Sequence, residues 1–376
     1  MACPFLPEDI MANILKRIPI KSLSRFRCVC KQWKNLFQTR SFIADYLHHP
    51  GHDDTPPLLL QSNHRTDPLK LRFVDEKKRV REFQNPPSID SLQCANLIGS
   101  SNGLVCVEFD ESGTSPFSLL LWNPTTTKVR KIPRAINDFK GNCILGFGYC
   151  QIINDHKIVR VYEFDLKVNG VEVYSLSTNS WKEIKYKNLK GKRLFHDTVT
   201  VNGTMFWHGS ENSIVSFDIE TEEFRLIPMP VIYPQALTVL TVYENKLAMF
   251  SITATLLRME PLLWVMEGTG ASEEGSSWTR KYWIHPYSCA ENVWGDDIIY
   301  NFNIEIMPRL QRLLRLELIN ETQHGMGDGG LLEIMLMSTV RNNEIATCKC
   351  GRGRHIFNHV ESLAPVDSTH VEKPTS

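Results

Sequence analysis

Aromatic side chains recur along this chain at nearly constant intervals, and that recurrence restricts the fold more than any other feature. Phe73, Trp122, Tyr174, Phe217 and Trp264, with Glu317 in the same place of a degenerate last copy, are separated by 49, 52, 43, 47 and 53 residues. Around the anchors the apolar pattern alternates with period two, the mark of half-buried strands. Two hairpin types trade places. In one, a tight polar turn lies between apolar strands: Ser101-Asn102-Gly103-Leu104 and Val201-Asn202-Gly203-Thr204, with a weaker copy from Leu240 to Phe250 turning at Glu244-Asn245-Lys246. Asn-Gly adopts the positive φ values that a two-residue hairpin requires. In the other, an aromatic leads into a short polar turn and a second strand: Trp122 to Ile132, Tyr174 to Trp181, Phe217 to Phe224, and, across a longer loop, Leu263-Trp264 to Trp283.

A unit of this length holds four strands. Alone it leaves both faces uncovered; neighbours in a ring cover the faces, and ring closure removes the edges. The pattern therefore predicts a mainly β chain whose bulk is a β-propeller-like domain of about six blades. Strands within Leu332 to Leu363 would complete or close the ring. An irregular β-sandwich is the competing architecture.

The first residues follow a different rule. Ile10, Ile14, Leu15 and Ile18 recur at helical spacing behind Pro7, Glu8 and Asp9, and Pro19 ends the run. Lys21 to Phe26 offers Leu23 and Phe26, and a third run carries Val29, Cys30, Trp33, Leu36 and Phe37. A small three-helix module of this kind has too few apolar residues for a durable core, so something else should cover its outward apolar positions. Between Ile10 and Ala44 the charged residues at 16, 17, 21, 25, 27, 31, 34 and 40 are all basic. That is either a solvated face or a match for an acidic partner. The resulting division is a helical module at 1–47, a linker at 48–57, the strand-rich body at 58–364 and a flexible tail at 365–376.

Lys plus Arg equals Asp plus Glu at 42 each, so nothing global attracts nucleic acid or an anionic membrane. Ten cysteines show no framework, the N-terminus lacks a basic-then-apolar signal, and stretches such as Ala236 to Tyr243 are far too short to span a bilayer. A reducing cytoplasmic and/or nuclear setting follows, with the sequons at Asn202 and Asn320 unused. Cys348, Cys350, His355 and His359 are too closely spaced for a zinc finger, and Gly325 to Gly330 lacks the Lys-Ser/Thr of a phosphate loop. Trp181, Trp207 and His208 at strand ends fit blade packing better than a ligand pocket. No catalytic residue, metal or cofactor is expected.

Position by position, Leu6-Pro7-Glu8-Asp9-Ile10, Ile14-Leu15-Lys16-Arg17-Ile18-Pro19 and Lys21 to Trp33 resemble an F-box. The resemblance implies that Leu6, Pro7, Ile10, Leu15, Ile18, Leu23, Val29, Cys30 and Trp33 form the helical core or contact a Skp-type adaptor, which bridges to a cullin–RING ubiquitin ligase. Phe37 stands where that family more often has Ile. The body is similar to the plant F-box-associated domain from about residue 90 to 364. Ile98 to Cys106, Leu121 to Pro124, Gly146-Phe147-Gly148-Tyr149 with Lys157 to Val161, Val171 to Leu176 and Val360 to Leu363 carry that likeness; Cys150 stands where Asp is common. In the kelch-like and S-locus members of that group, the body selects the protein to be ubiquitinated.

The resemblance thus implies a non-catalytic substrate-recognition subunit of an SCF-type ligase, with an unidentified target protein. An S-locus-like recogniser of style ribonucleases is the narrower alternative. A nucleic-acid-binding protein using the basic helices and a propeller-fold enzyme are the competitors from other classes. Asp110 to Pro116, Glu267 to Ser277 and Gln323 to Gly330 are the loops expected to carry specificity.

Overall fold

The computed structural model describes residues 7–37, 39–47, 49, 57–61, 69, 71–75, 80–82, 85, 89, 92–110, 118–137, 143–195, 198–230, 232, 237–254, 259–268, 277–283, 289–294, 297–301, 333–338, 345–349 and 355–366. The head is formed by α1 (Glu8–Leu15), α2 (Ile20–Phe26), α3 (Lys31–Leu36) and α4 (Arg40–Leu47). Pro7 and Pro19 stand immediately before α1 and α2, where a missing N–H leaves no bond unmade. The Cys30 sulfur accepts the Trp33 N–H and caps α3. The fourth helix is an addition to the three expected. Its signal was present in the chain: Phe42, Ile43 and Tyr46 share a face, and the Thr39 hydroxyl accepts the Phe42 N–H at 3.4 Å as an N-cap.

Six four-stranded antiparallel sheets follow. The first contains β1 (Leu58–Gln61), β2 (Leu71–Val74) and β3 (Val80–Glu82). The second is β4 (Gln93–Ser101), β5 (Leu104–Asp110), β6 (Ser118–Asn123) and β7 (Lys128–Lys131). The third is β8 (Cys143–Cys150), β9 (Asp155–Phe164), β10 (Lys167–Ser175) and β11 (Ser180–Glu183). The fourth is β12 (Val199–Val201), β13 (Thr204–Gly209), β14 (Ser213–Asp218) and β15 (Phe224–Pro228). The fifth is β16 (Leu237–Tyr243), β17 (Lys246–Ala254), β18 (Met259–Glu267) and β19 (Ser277–Trp283). The sixth is β20 (Cys289–Trp294), β21 (Asp297–Asn301), β22 (Glu333–Ser338) and β23 (Ile345–Lys349). The last strand, β24 (His355–Asn358), returns to pair with β1, Leu58 opposite Asn358 and Gln61 opposite His355.

The first strands of successive sheets touch in the order β24, β4, β8, β12, β16, β20 and back to β24. That closed ring makes the sheets blades of a propeller, sealed by one strand from each end of the chain. The aromatic anchors Phe73, Trp122, Tyr174, Phe217 and Trp264 all fall on third strands. Glu317 lies outside the described residues, and the third strand of the last blade is β22, because the β21–β22 connection displaces the copy towards the C-terminus.

Both hairpin types are built as their turn residues require. Asn102-Gly103 and Asn202-Gly203 have positive φ at both positions (46° and 80°, 50° and 76°), and Glu244-Asn245 follows them. In the second type a single left-handed residue ends the turn: Thr127, Asn179 and Glu222. The Asn123 and Asp218 side chains hold these turns by accepting the N–H groups of Thr126 and of Glu220 and Thr221.

Blades adhere through apolar seams and through polar side chains aimed at the neighbour's backbone. Trp122 and Val105 meet Leu59 and Leu71 in the seam of the first two blades. Trp207, Met205 and Phe217 meet Val159 and Val171 between the third and fourth. There β8 comes so close that a Cβ on Gly146 would lie 2.4 Å from the Trp207 ring. Buried Gln61 bonds the Ala95 carbonyl and the Leu97 N–H across one seam. Lys157 reaches the Ile219 carbonyl (2.8 Å) and Glu222 (2.6 Å) across another. On the fourth strands, Trp181 and Trp278 each donate their indole N–H to the carbonyl of a proline ending the preceding blade, Pro133 and Pro228. The spacing of the two tryptophans therefore records a repeated blade-to-blade bond.

The two ends of the ring differ. First-to-second and third-to-fourth strand turns lie at one end, together with the start of β1 and the finish of β24, so the head enters there. Residues 359–366 run across this end as a strap. His359 donates its backbone N–H to the Pro57 carbonyl, and its Nδ1 lies 2.8 Å from the Ser100 hydroxyl. Asn123, fully buried, donates to the Ser362 and Ala364 carbonyls at 2.9 and 2.7 Å. Gly103 is indispensable here, since φ is +80° and a Cβ would sit 2.1 Å from that of Ser362. Ala364 and Val366 fill the seam between the second and third blades, while Leu363 points the other way, into the head.

Candidate functional site

The head is the candidate site because its apolar residues divide sharply between inside and outside. Leu15, Ile20, Leu23, Phe37, Phe42, Ile43 and Tyr46 form its core with Leu363 of the strap. An aromatic row runs from Phe26 through Trp33, Phe37 and Phe42 to Tyr46, with neighbouring ring centres 5.3 to 6.3 Å apart. The Tyr46 hydroxyl donates to the Ile18 carbonyl at 3.1 Å, and burial, seconded by Glu361, pushes its pKa well above the ordinary tyrosine value. Lys16 pairs with Asp45 at 2.5 Å, and Lys21 stands 3.6 Å from Glu361 of the strap. The short helices thus obtain from α4 and the strap the cover they cannot supply themselves.

Of the residues singled out in the sequence, Leu15 and Leu23 are buried. Ile18, Cys30 and Trp33 are half-buried, Trp33 donating its ring N–H to the Met11 sulfur. Pro7, Ile10 and Val29 are exposed. Leu6 lies outside the described residues. Ile10 and Val29 keep 47% and 59% of their surface in water, and Ile14, one turn beyond Ile10 on α1, keeps 49%. Ile14 belongs with the exposed pair; periodicity put it on the apolar face of α1 but could not say which part of that face the head itself covers. Around these residues Arg17, Lys21, Arg25, Lys31 and Lys34 are exposed. Exposed Glu8 and Asp9 stand beside Ile10, but the other charged neighbours are basic, and apolar knobs in such a setting can bind an acidic protein surface with apolar recesses.

The other stretches considered for chemistry are structural or fall outside the description. Trp207 is fully buried and Trp181 is bonded to Pro133. His359 packs its ring edge on Phe73, and burial lowers its pKa to about 4. Cys350 and residues 325–330 lie outside the described residues. Among the described residues no group of three or more His, Cys, Asp or Glu is placed to hold a metal ion, and no helix is long and apolar enough to cross a membrane. Of the loops expected to carry specificity, Asp110 to Pro116 follows β5 and Gln323 to Gly330 falls between β21 and β22, both joining strands at the end away from the head. Glu267 to Ser277 joins β18 to β19 at the head end. Residues 111–117, 269–276 and 323–330 themselves lie outside the described residues.

Comparison with known proteins agrees with both halves. The F-box domain family matches residues 4–44, and the F-box associated beta propeller domain family matches residues 59–302. An F-box protein of Arabidopsis thaliana is 28% identical over 264 residues, 60% of this chain and 60% of that protein, so the chain covers less than two thirds of its length. A putative F-box protein of the same plant is 27% identical over 327 residues, 81% of this chain and 79% of the relative. An F-box/kelch-repeat protein, also of Arabidopsis thaliana, is 24% identical over 311 residues, 73% of this chain and 78% of the relative. The ring of blades, the helical head and these matches lead to one statement: the chain belongs to the F-box associated beta propeller domain family and carries an F-box ahead of that domain.

Proposed function

We propose that this chain is the substrate-recognition subunit of an SCF-type cullin–RING ubiquitin ligase. Its head binds a Skp-type adaptor and its propeller holds a target protein for ubiquitination and proteasomal degradation. The observation that carries this reading is the exposure of Ile10, Ile14 and Val29 in an F-box head that is otherwise packed. In water such residues gain nothing; against an apolar recess each contributes about 1.5–3 kcal/mol. The chain then works without catalytic groups of its own. Holding a target lysine beside the transferring enzyme raises its effective concentration, and a rigid ring fixed to the head by the strap sets the distance. A cytoplasmic and/or nuclear location completes the proposal.

Titration of the full chain with a purified Skp-type adaptor tests it. The triple variant Ile10→Ser, Ile14→Ser, Val29→Ser is expected to weaken binding at least tenfold while the melting transition of the propeller stays in place. A folded wild-type chain that does not bind the adaptor removes the basis of the proposal.

A further inference from the structure

Among the described residues, the head's apolar core takes one member from outside the head itself: Leu363, which joins Leu15, Ile20, Leu23, Phe37 and Phe42 in one buried cluster. The rest of the strap belongs to the ring. Asn123 of the second blade donates to the carbonyls on either side of Leu363, those of Ser362 and Ala364, at 2.9 and 2.7 Å. The Ser362 hydroxyl accepts the Ala364 N–H at 3.0 Å and closes a turn about Leu363, while Ser362 itself lies against Gly103. Upstream, buried His359 is held by the Pro57 carbonyl and the Ser100 hydroxyl. The backbone around Leu363 is thus fixed by the ring, and its side chain by the head.

The size of the head makes this contact matter. Its helices contain eight, seven, six and eight residues. Each is shorter than the roughly 12–15 residues at which an isolated helix becomes even marginal in water, so order in the head depends on its shared core. Removing a buried leucine from so small a core moves the head towards disorder. Ile10 and Ile14 are presented by α1, and Val29 by the connection between α2 and α3. Their mutual placement exists only while these elements are packed. A partner that needs all three binds in proportion to the fraction of heads that are ordered.

We propose that the strap makes the head's docking face conditional on a closed ring. Leu363 is a positioning residue for the adaptor site and Asn123 is its clamp, although Leu363 is buried and Asn123 belongs to the ring. The strand that closes the ring, β24, is the one from which the strap continues. A chain whose ring is open therefore has a strap without a fixed place, a loosened head and a weak hold on the ligase. Unfinished or damaged receptors are kept out of the complex by the same contacts that join the parts of a sound one. Linkage makes the effect mutual, so adaptor binding tightens the strap on the ring by the same factor. The inference rests on the receptor reading and adds to it a coupling between adaptor site and propeller.

Titration with a purified Skp-type adaptor and amide hydrogen exchange, both on the full chain, test the proposal. Leu363→Ala removes the shared side chain. Asn123→Asp keeps an acceptor for the Thr126 N–H but turns a carboxylate on the two strap carbonyls. Each variant is expected to bind the adaptor about fivefold or more weakly and to exchange faster in α1 and α2 by a similar factor, with protection in β9, β10 and β14 unchanged. Leu363→Met, which refills the space, should restore both. Saturating adaptor should in turn slow exchange of the His359 and Ala364 N–H groups in the wild type. Wild-type affinity or unchanged head exchange in Leu363→Ala overturns the coupling, and so does a strap that exchanges equally fast with and without adaptor. Should Asn123→Asp open the second blade, seen as lost protection in β5 and β6, Leu363→Ala set against Leu363→Met decides. A folded wild-type chain that does not bind the adaptor removes the receptor reading alone; the coupling of head to ring then stands or falls on head exchange in the variants.

Discussion

The head and the ring treat apolar residues in opposite ways. In the ring, Trp122, Trp207, Tyr174, Phe217 and Phe250 are fully buried, and each blade's faces are covered by its neighbours. In the head, Leu15 and Leu23 are equally buried, yet Ile10, Ile14 and Val29 stand in water a few residues away. The ring spends its apolar residues on its own stability, and the head leaves part of its own for something else. Mutation therefore separates the two regions by its effects: in the ring apolar loss should appear as stability, in the head as binding.

The sharpest break comes from the end of the chain. Removing residues 355–376 takes away the first strand of one blade together with the strap, so cooperative urea unfolding should be lost altogether rather than shifted. Trp207→Ala leaves a large cavity between the third and fourth blades and should lower stability by about 3–5 kcal/mol, read from the urea midpoint. Retention of the midpoint would mean that the seams are not cooperative.

Acid probes the end of the ring that meets the head. Burial lowers His156 to about 4, opposed by its bond to the Ser101 carbonyl and by Asp155, and burial alone lowers His359 to about 4. Both are protonated more readily in the unfolded chain. Their contribution is therefore complete above about pH 6.5 and is lost as pH falls towards 4, by about 2 kcal/mol for each histidine at pH 5. His359→Phe should flatten the dependence between pH 4 and 6.5 by one histidine's share and leave it unchanged at pH 8. Gly146→Ala, pressed against Trp207, should cost about 1–3 kcal/mol. At the small end, Ile10→Ser, Ile14→Ser and Val29→Ser should each change stability by no more than about 0.5 kcal/mol. A larger loss in any of the three would show that the head uses them for its own core.

What the chain discloses by reading depends on how local the cause is. The Asn102-Gly103 and Asn202-Gly203 turns, the anchors at Trp122 and Phe217 and the prolines before α1 and α2 depend on neighbouring residues, and they are legible. The last blade is less so: Glu317 kept the interval, but the third strand is β22, since an interval cannot register a lengthened connection. The strap is hidden for another reason. Asn123 meets Ser362 across 239 residues, and Gly103 is needed as glycine by a side chain equally remote. In the head, spacing placed Ile10, Ile14 and Leu15 on one side of α1. Only the packing of α4 and Leu363 decides that Leu15 is covered and the other two are not. The exposed β9–β10 tip is not legible because Asp165-Leu166 has Leu where a two-residue turn ordinarily has Gly.

The pairing of β24 with β1 also sets an order of events during synthesis. The head and β1 to β3 leave the ribosome early, but that blade lacks its first strand until β24 emerges about 270 residues after β3. Until then β1 presents an open edge, and Leu363, Ala364 and Val366 are not yet available to join head to ring. An interrupted chain has an F-box but no closed ring and no fixed bearing between the two. Emergence of β24 and the strap is therefore itself the event that turns a tethered pair of parts into a single instrument.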